Sequence, residues 1–510
     1  MKLRGTATLA AALCLGWVGL AAAQDAETIK KQVGAPVESW TGSIGGDMNF
    51  GKIGEDWYAT LNLGLTFDFG IVGFGIQAPL RLLMKDNDPE NNDYGGVLRR
   101  EDWDEWTDYL KIIRYFRFGH KGELVFLQLG DLPGVTIGHA SIVNRYYNNT
   151  DLAHFKLGVT LDVNTDYAGV ETLLNNAFVS NLIGGRVYLK PFSFWDKDSY
   201  LNNFAIGFTA ISDYAAPYCP DFEQQDTAGG PWTPGGACMP AALDHDPATF
   251  PNVRQRFDED MNIVLADKKA ATVLGGDLEF KVLNLEWINL TPYVDLNGII
   301  DGGFGFHGGI MTNFNIPVIS VGLQTRIEYR WMERGYIPSY FDSFYEIQKF
   351  NYPFKDENGR FGPAHSEVTD RPKAAVVEEL AAQEGKGLNG YYAELAINVN
   401  DWVVVGGSYD DYDGPYNSNL RMYLTVPAFD FIKFGAYYYR HNFEGAGDAF
   451  DFDEKSLFLA EARYQIISFL YVVGQYWRVW RLDEDPTSAS YGDYVATDDW
   501  SIGVGAAYNF

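Results

Sequence analysis

Apolar and polar residues alternate one for one along most of this chain. Between 500 and 510, Trp500, Ile502, Val504, Ala506, Tyr508 and Phe510 share one face, and Ser501, Gly503, Gly505, Ala507 and Asn509 share the other. A period of two is that of a strand whose faces meet unlike media. Leu61, Leu63, Leu65, Phe67 and Phe69 alternate with Asn62, Gly64, Thr66 and Asp68, and Val321 to Trp331 sets Gln324, Arg326, Glu328 and Arg330 against Leu323, Ile327 and Tyr329. The same pattern runs through 72–82, 155–164, 274–282, 290–300, 304–314, 391–399, 420–426 and 432–440.

The links between these segments divide into two kinds. Short ones follow Phe69, Phe118, Val163, Val282, Phe314, Asn398, Phe429 and Ile466. Long polar ones occupy 84–107, 130–154, 212–269, 333–388, 441–455 and 482–498. Tight turns at one rim and long loops at the other are the layout of a transmembrane barrel, whose polar strand face is the lumen. The expected fold is therefore all-β: one antiparallel up-and-down β-barrel with short periplasmic turns and long extracellular loops. An even number of ~10-residue segments gives about twenty strands, with 16 to 18 as the smaller alternatives. Parity requires a strand before Trp57, which 40–50 supplies. Three stretches fit less well: 109–118, where Arg114 shares a face with Ile112 and Phe116; the strand pair within 167–190; and 192–203, which is long for a periplasmic turn.

The final strand, alternating and closing on Tyr508 and Phe510, resembles the terminal strand of Gram-negative outer-membrane β-barrels of the porin-like class. The resemblance implies an outer-membrane location and makes Tyr508 and Phe510 the assembly signal. It implies outer-membrane lipid, lipopolysaccharide and the barrel-assembly machinery as partners, and it leaves homo-oligomers open. At the other end, Lys2 and Arg4 precede an apolar run over 6–20 and the small residues Ala21, Ala22 and Ala23. That is a secretory signal peptide over 1–23, too short to span a bilayer. Residues 24–39 read as a leader, short helix or disordered, and 40–510 as the barrel. Cys14 does not make a lipoprotein signal, because the apolar run continues past it.

Composition fits this reading. The chain has 54 Gly, 32 Tyr and 34 Phe, with a mean hydropathy of -0.18, as expected when only alternate residues meet lipid. A formal charge of -29 repels nucleic acid and excludes that class of partner. Acidic clusters at 86–93, 101–105, 410–413, 448–454 and 483–485 read as solvated loops. A divalent cation at these outer loops, beside lipopolysaccharide, is the sharper alternative, although 86–90 lacks the Gly and distal Glu of a calcium loop. No other cofactor or metal is expected. Cys219 and Cys238 share one loop on an oxidising export route and are expected to form a disulfide. Such a bridge would be worth on the order of 3 kcal/mol in the chain-entropy model.

Candidate lumen residues are Arg81, Lys156, Arg186, Arg326, Arg330, Arg421 and Lys433 on the basic side, and Asp277, Glu279, Glu328 and Glu394 on the acidic side. They either bias passing ions or neutralise one another across neighbouring strands. Arg326, Glu328 and Arg330 on one strand form the best candidate for a basic ladder. The loop 130–154 carries an apolar run, 134–143, where a loop should be polar, so it is expected to fold inward or onto the rim. In placement it resembles the constricting loop of general porins, which puts His139, Arg145 and His154 near the bore. Residues 372–384 read as a short helix on the rim or plugging the mouth, with Asp370 as cap and Pro372 in the first turn. The seven His show no catalytic spacing, so no enzyme is expected. The chain reads as a channel for passive diffusion of small hydrophilic solutes or ions. The alternative is a filled barrel that displays its long loops as a surface, structural or interaction protein.

Overall fold

The computed structural model describes residues 41–509 apart from 54–55, 88–96, 100–101, 104–105, 150–154, 197–198, 226–230, 232, 238–252, 257–262, 286, 317–319, 351, 353–371, 384, 386, 401, 414–417, 427–430, 454 and 483–493. The expected signal peptide and leader, His154, Cys238, Asp370 and Phe510 lie outside the described residues.

Twenty strands close into one antiparallel barrel, each paired with its neighbours in sequence and the first with the last. They are β1 Thr41–Ile53, β2 Asp56–Asp68, β3 Val72–Lys85, β4 Ile113–Phe118, β5 Val125–Gly130, β6 Gly158–Asn164, β7 Ala168–Leu174, β8 Leu182–Leu189, β9 Phe204–Gln224 and β10 Leu265–Phe280. The second half comprises β11 Ile288–Ile299, β12 Phe304–Ile316, β13 Val321–Met332, β14 Leu388–Val399, β15 Val403–Tyr412, β16 Ser418–Val426, β17 Ile432–Phe443, β18 Ser456–Ile467, β19 Leu470–Leu482 and β20 Tyr494–Asn509. The seam between β1 and β20 runs from Ser43 opposite Asn509 to Lys52 opposite Trp500. Closure pairs each of the twenty strands with a neighbour on both sides, the condition for backbone to cross hydrocarbon.

The wall is turned inside out relative to a water-soluble protein. Ile44, Met48, Ile183, Phe208, Leu296, Ile327, Ile502 and Val504 face outward and are exposed, whereas Asp277, Asp295, His307, Glu328 and Arg330 face inward and are buried. Water would penalise each such exposed side chain by about 1.5–3 kcal/mol; lipid does not. Aromatic side chains collect at the short-turn rim, where Phe69, Phe118, Trp195, Trp287, Trp402 and Tyr508 are all exposed, as in the interfacial girdles of membrane barrels. The chain is a closed β-barrel with an apolar exterior, the architecture of a membrane-spanning barrel.

Inside the wall, tyrosines lie over glycines. Tyr115, Tyr188, Tyr293, Tyr412, Tyr423 and Tyr471 stand directly opposite Gly75, Gly169, Gly309, Gly390, Gly406 and Gly505 on the adjacent strand. A β-carbon on Gly406 would come within 2.5 Å of the Tyr423 ring, and one on Gly169 within 2.2 Å of Tyr188. The ring covers backbone that the glycine leaves bare and fixes the register. The many Gly and Tyr are in part a construction device of the wall.

The irregular stretches have physical causes. On β4 the register slips between Gly75 and Ile76, so that Tyr115 faces Gly75 and Ile113 faces Ile76. Arg114 is the extra residue of a bulge, which lets it be buried while Ile113 and Phe118 stay exposed. Residues 108–112 form a 3-10 turn, so the strand expected over 109–118 begins later. The link between β8 and β9 is taken up by two more 3-10 turns, Pro191–Phe194 and Tyr200–Asn203.

Candidate functional site

Two of the long loops enter the barrel. Residues 131–149 form an inner hairpin, Pro133–Ile137 against Val143–Tyr147, and Phe341–Asp342 from the link between β13 and β14 pairs in parallel with Val143–Asn144. The same link adds helix α1, Tyr345–Gln348, and helix α2, Lys373–Ala382. Val135, Ile137, Ile142, Val143, Tyr340, Phe341, Tyr345 and Val377 then join Leu173, Leu182, Ile211, Val273 and Met332 of the wall in one apolar core. The apolar run at 134–143 is explained: it packs inside the barrel. Pro372 stands at the cap position of α2, one residue before the expected first turn, with no side-chain cap.

The inner hairpin is fastened at its tip. Gly138 adopts a φ of +56°, a conformation costly to any residue with a β-carbon, and its N–H donates to Glu171 at 2.9 Å. His139 lies between two carboxylates, with Nδ1 2.7 Å from Asp295 and Nε2 2.9 Å from Glu279. Its ring stacks on Tyr293 at 4.1 Å. Burial alone would lower its pKa, but the hydrogen bonds and charges of Asp295 and Glu279 outweigh burial and push it up to about 9. Arg186 makes a two-pronged pair with Asp277, at 2.9 and 2.5 Å. His139, Asp277 and Asp295 each bring one ligand-type atom within 4.8 Å of the others. Both imidazole nitrogens and both Asp277 oxygens are already engaged, so the group is built as an ion-pair cluster.

At the neck of the hairpin Arg145 pairs with Glu394 of β14. Glu394 also receives Arg326 at 3.1 Å, and Arg326 donates to the His139 carbonyl. Glu328 receives Arg330 at 2.6 Å and the Tyr293 hydroxyl, with His307 at 3.4 Å. Arg326 and Arg330 lie 4.3 and 4.4 Å from the centre of the Tyr392 ring, a cation–π arrangement. The expected basic ladder is therefore interleaved with acid: Arg145, Glu394, Arg326, Glu328 and Arg330 alternate in sign, and β13 presents a neutralised chain.

A second network ties the two loops together. Glu346 of α1 receives Tyr146 and Lys156 (2.5 Å) from the first loop and Lys349 (2.7 Å), the residue that follows the helix. Burial would raise the Glu346 carboxyl, but the two ammonium groups hold it well below its ordinary range. Lys156 was expected on a wall strand; it lies two residues before β6 and belongs to the loop. Asp342 receives Arg421 of β16 at 2.9 Å. Lys373 donates to the Tyr340 carbonyl at 2.7 Å amid the rings of Tyr340, Tyr345 and Tyr352, where burial pushes its ammonium down to about 8. Arg81 reaches Asp102 at 2.7 Å, and Arg99 reaches the same carboxylate at 2.9 Å. Asp102, expected in a solvated acidic loop, is fully buried. Lys433 is inward and partly buried on β17. Tyr508 faces outward. Cys219 is disulfide-bonded.

Alternation placed the wall residues of this cluster; it could not place their partners. His139 and Asp295 are 156 residues apart, and Glu346, Asp342, Glu171 and Tyr392 carry no local motif. For Asp295 and Glu171 the available signal was an inward parity; for Glu346 there was none.

No family model and no curated protein matches the chain. Among solved structures, OccK11 (OpdR) of Pseudomonas aeruginosa is similar at 8% identity and a TM-score of 0.32, over 92% of this chain and 96% of that one. The outer membrane protein OpdK of the same organism is similar at 7% identity and 0.31, over 93% and 99%. Wzi of Escherichia coli, described as a carbohydrate-binding β-barrel involved in group 1 capsule assembly, is similar at 11% and 0.31, over 97% and 88%.

Proposed function

We propose that the protein is a narrow, loop-constricted outer-membrane channel for passive diffusion of small hydrophilic solutes. The observation that carries this reading is the course of residues 131–149: they lie inside the barrel and are fastened to the wall at His139 and Arg145. A loop held this way sets the aperture without closing the cylinder, and a polar inner wall wets what remains of the bore. The reading contains no catalytic step. In a planar bilayer the purified protein should give small, discrete unitary conductance steps. Removing residues 133–147 should enlarge them several-fold while the barrel stays assembled.

The second reading is a filled barrel acting through its outer loops. The dryness of the charges on β11 to β13 favours it: Asp295, His307, Glu328 and Arg330 are each no more than 1% exposed. Folded protein that carries no current in repeated reconstitutions would decide for it.

A further inference from the structure

We infer that solute crosses this barrel off-centre, along the arc from β19 through β3, and that this arc takes an uncharged hydrogen-bonding solute such as a sugar, polyol or small amide. The inference rests on the channel reading above.

The two inserted loops dock on one side. Their apolar core contacts wall residues of β7 to β11 and β13, and their polar ties end on β7, β10, β11, β14 and β16. Phe344, stacked on Tyr439 at 4.5 Å with Trp480 at 5.5 Å, is the farthest reach of the second loop. Across the barrel, the inward side chains Thr60, Asn62, Gln77, Gln475 and Ser501 are partly exposed, whereas Asp295, His307, Glu328 and Arg330 under the loops are dry. Gly45, Gly64 and Gly503 take up inward positions on the same arc and add no side-chain bulk. Ser43, Asp47, Asn49, Thr66 and Asp499 of the same arc are buried, so its accessible part is the amide and hydroxyl positions, and the second inserted loop reaches the arc at Trp480.

The chemistry of the arc is that of amides and hydroxyls. Ser501 donates to Gln475 at 2.9 Å, Gln475 to Glu461 at 2.6 Å, and Asn62 to Asp47 at 3.0 Å. Thr60 and Gln77 make no side-chain hydrogen bond among the described residues. Charges on the arc and on the strands flanking it are paired or chelated: Glu461 with Arg463 of β18 at 2.7 Å, Arg81 with Asp102, Arg117 of β4 with Asp68 at 2.6 Å, and Asp47 between the amides of Asn49 and Asn62. An ion entering a narrow bore gives up hydration, and a wall without net field returns little of that cost. A polyhydroxy solute exchanges water for side chains that both donate and accept.

The test uses the full mature chain in proteoliposomes, reading osmotic swelling with arabinose and glucose beside sodium chloride conductance. Gln77→Trp and Thr60→Trp should each cut sugar flux at least five-fold. Gln324→Trp, on β13 ten strands away from β3, should change it less than two-fold. Gln77→Cys should conduct until a methanethiosulfonate reagent modifies it and should then be blocked, which separates occlusion from misfolding. Flux insensitive to both arc substitutions and to the modification, or blocked by Gln324→Trp alone, overturns this inference and leaves the channel reading standing. Sodium chloride current with no sugar uptake also overturns it alone. No flux of either kind through the unmodified protein overturns the channel reading and this inference together.

Discussion

His139 concentrates the electrostatics of the inserted hairpin in one side chain. Asp295 and Glu279 receive its two nitrogens, and Tyr293 and Arg326 pack beside them. Its folded pKa, about 9, is raised above the unfolded value near 6.5. Its contribution is therefore complete below about pH 6.5 and is lost as pH rises through 9. Loop protection from protease should fall between pH 7 and pH 10 in the native protein, and His139→Gln should be cut at the same rate across that range. Glu328 holds an even more enclosed position. Glu328→Gln should cost about 3–5 kcal/mol by leaving Arg330 buried and Arg326 short of a neighbour, read as a lower urea midpoint in detergent. At this scale the sequence shows orientation but not partnership. Period-two alternation turns Arg326, Glu328 and Arg330 inward, whereas contacts between residues more than a hundred positions apart leave no mark in a local pattern. Arg114 shows the converse: its parity is misleading because one inserted residue reverses the phase of the strand.

The recurring element is a tyrosine laid across the glycine of the next strand. Gly406→Val should force the Tyr423 ring from its place and cost about 1–3 kcal/mol, by analogy with overpacked cores. Gly474→Ala, where a β-carbon meets nothing within 4 Å, should be neutral. Heat-modifiable migration on a gel separates the two outcomes. Alternation and link lengths made most of the wall strands and the short-turn rim legible, because lipid on one side and polar lumen on the other dictate both; β4 was legible only in part, since residues 108–112 form a 3-10 turn. The inserted elements were legible only as a misplaced apolar run at 134–143. Their parallel pairing with Phe341–Asp342 joins segments about 200 residues apart, and short strands inside a barrel lack the length over which periodicity can be read.

For the whole molecule, closure and the apolar exterior have one thermodynamic consequence: the mature chain should need detergent or lipid to remain monodisperse. Light scattering after detergent removal checks this, and a stable dilute monomer in plain buffer would contradict the architecture. The even strand count has a further, topographic consequence. Twenty crossings bring the end of β20 back to the rim where β1 starts, so every odd-to-even link begins at the long-loop rim and every even-to-odd link at the short-turn rim, and the long-loop rim is expected to face the medium. An epitope spliced beside Gly445 or Gly447, where an added β-carbon would meet nothing within 4 Å, should be stained on living cells. The same epitope beside Asn202, in the link between β8 and β9, should be stained only after the envelope is breached.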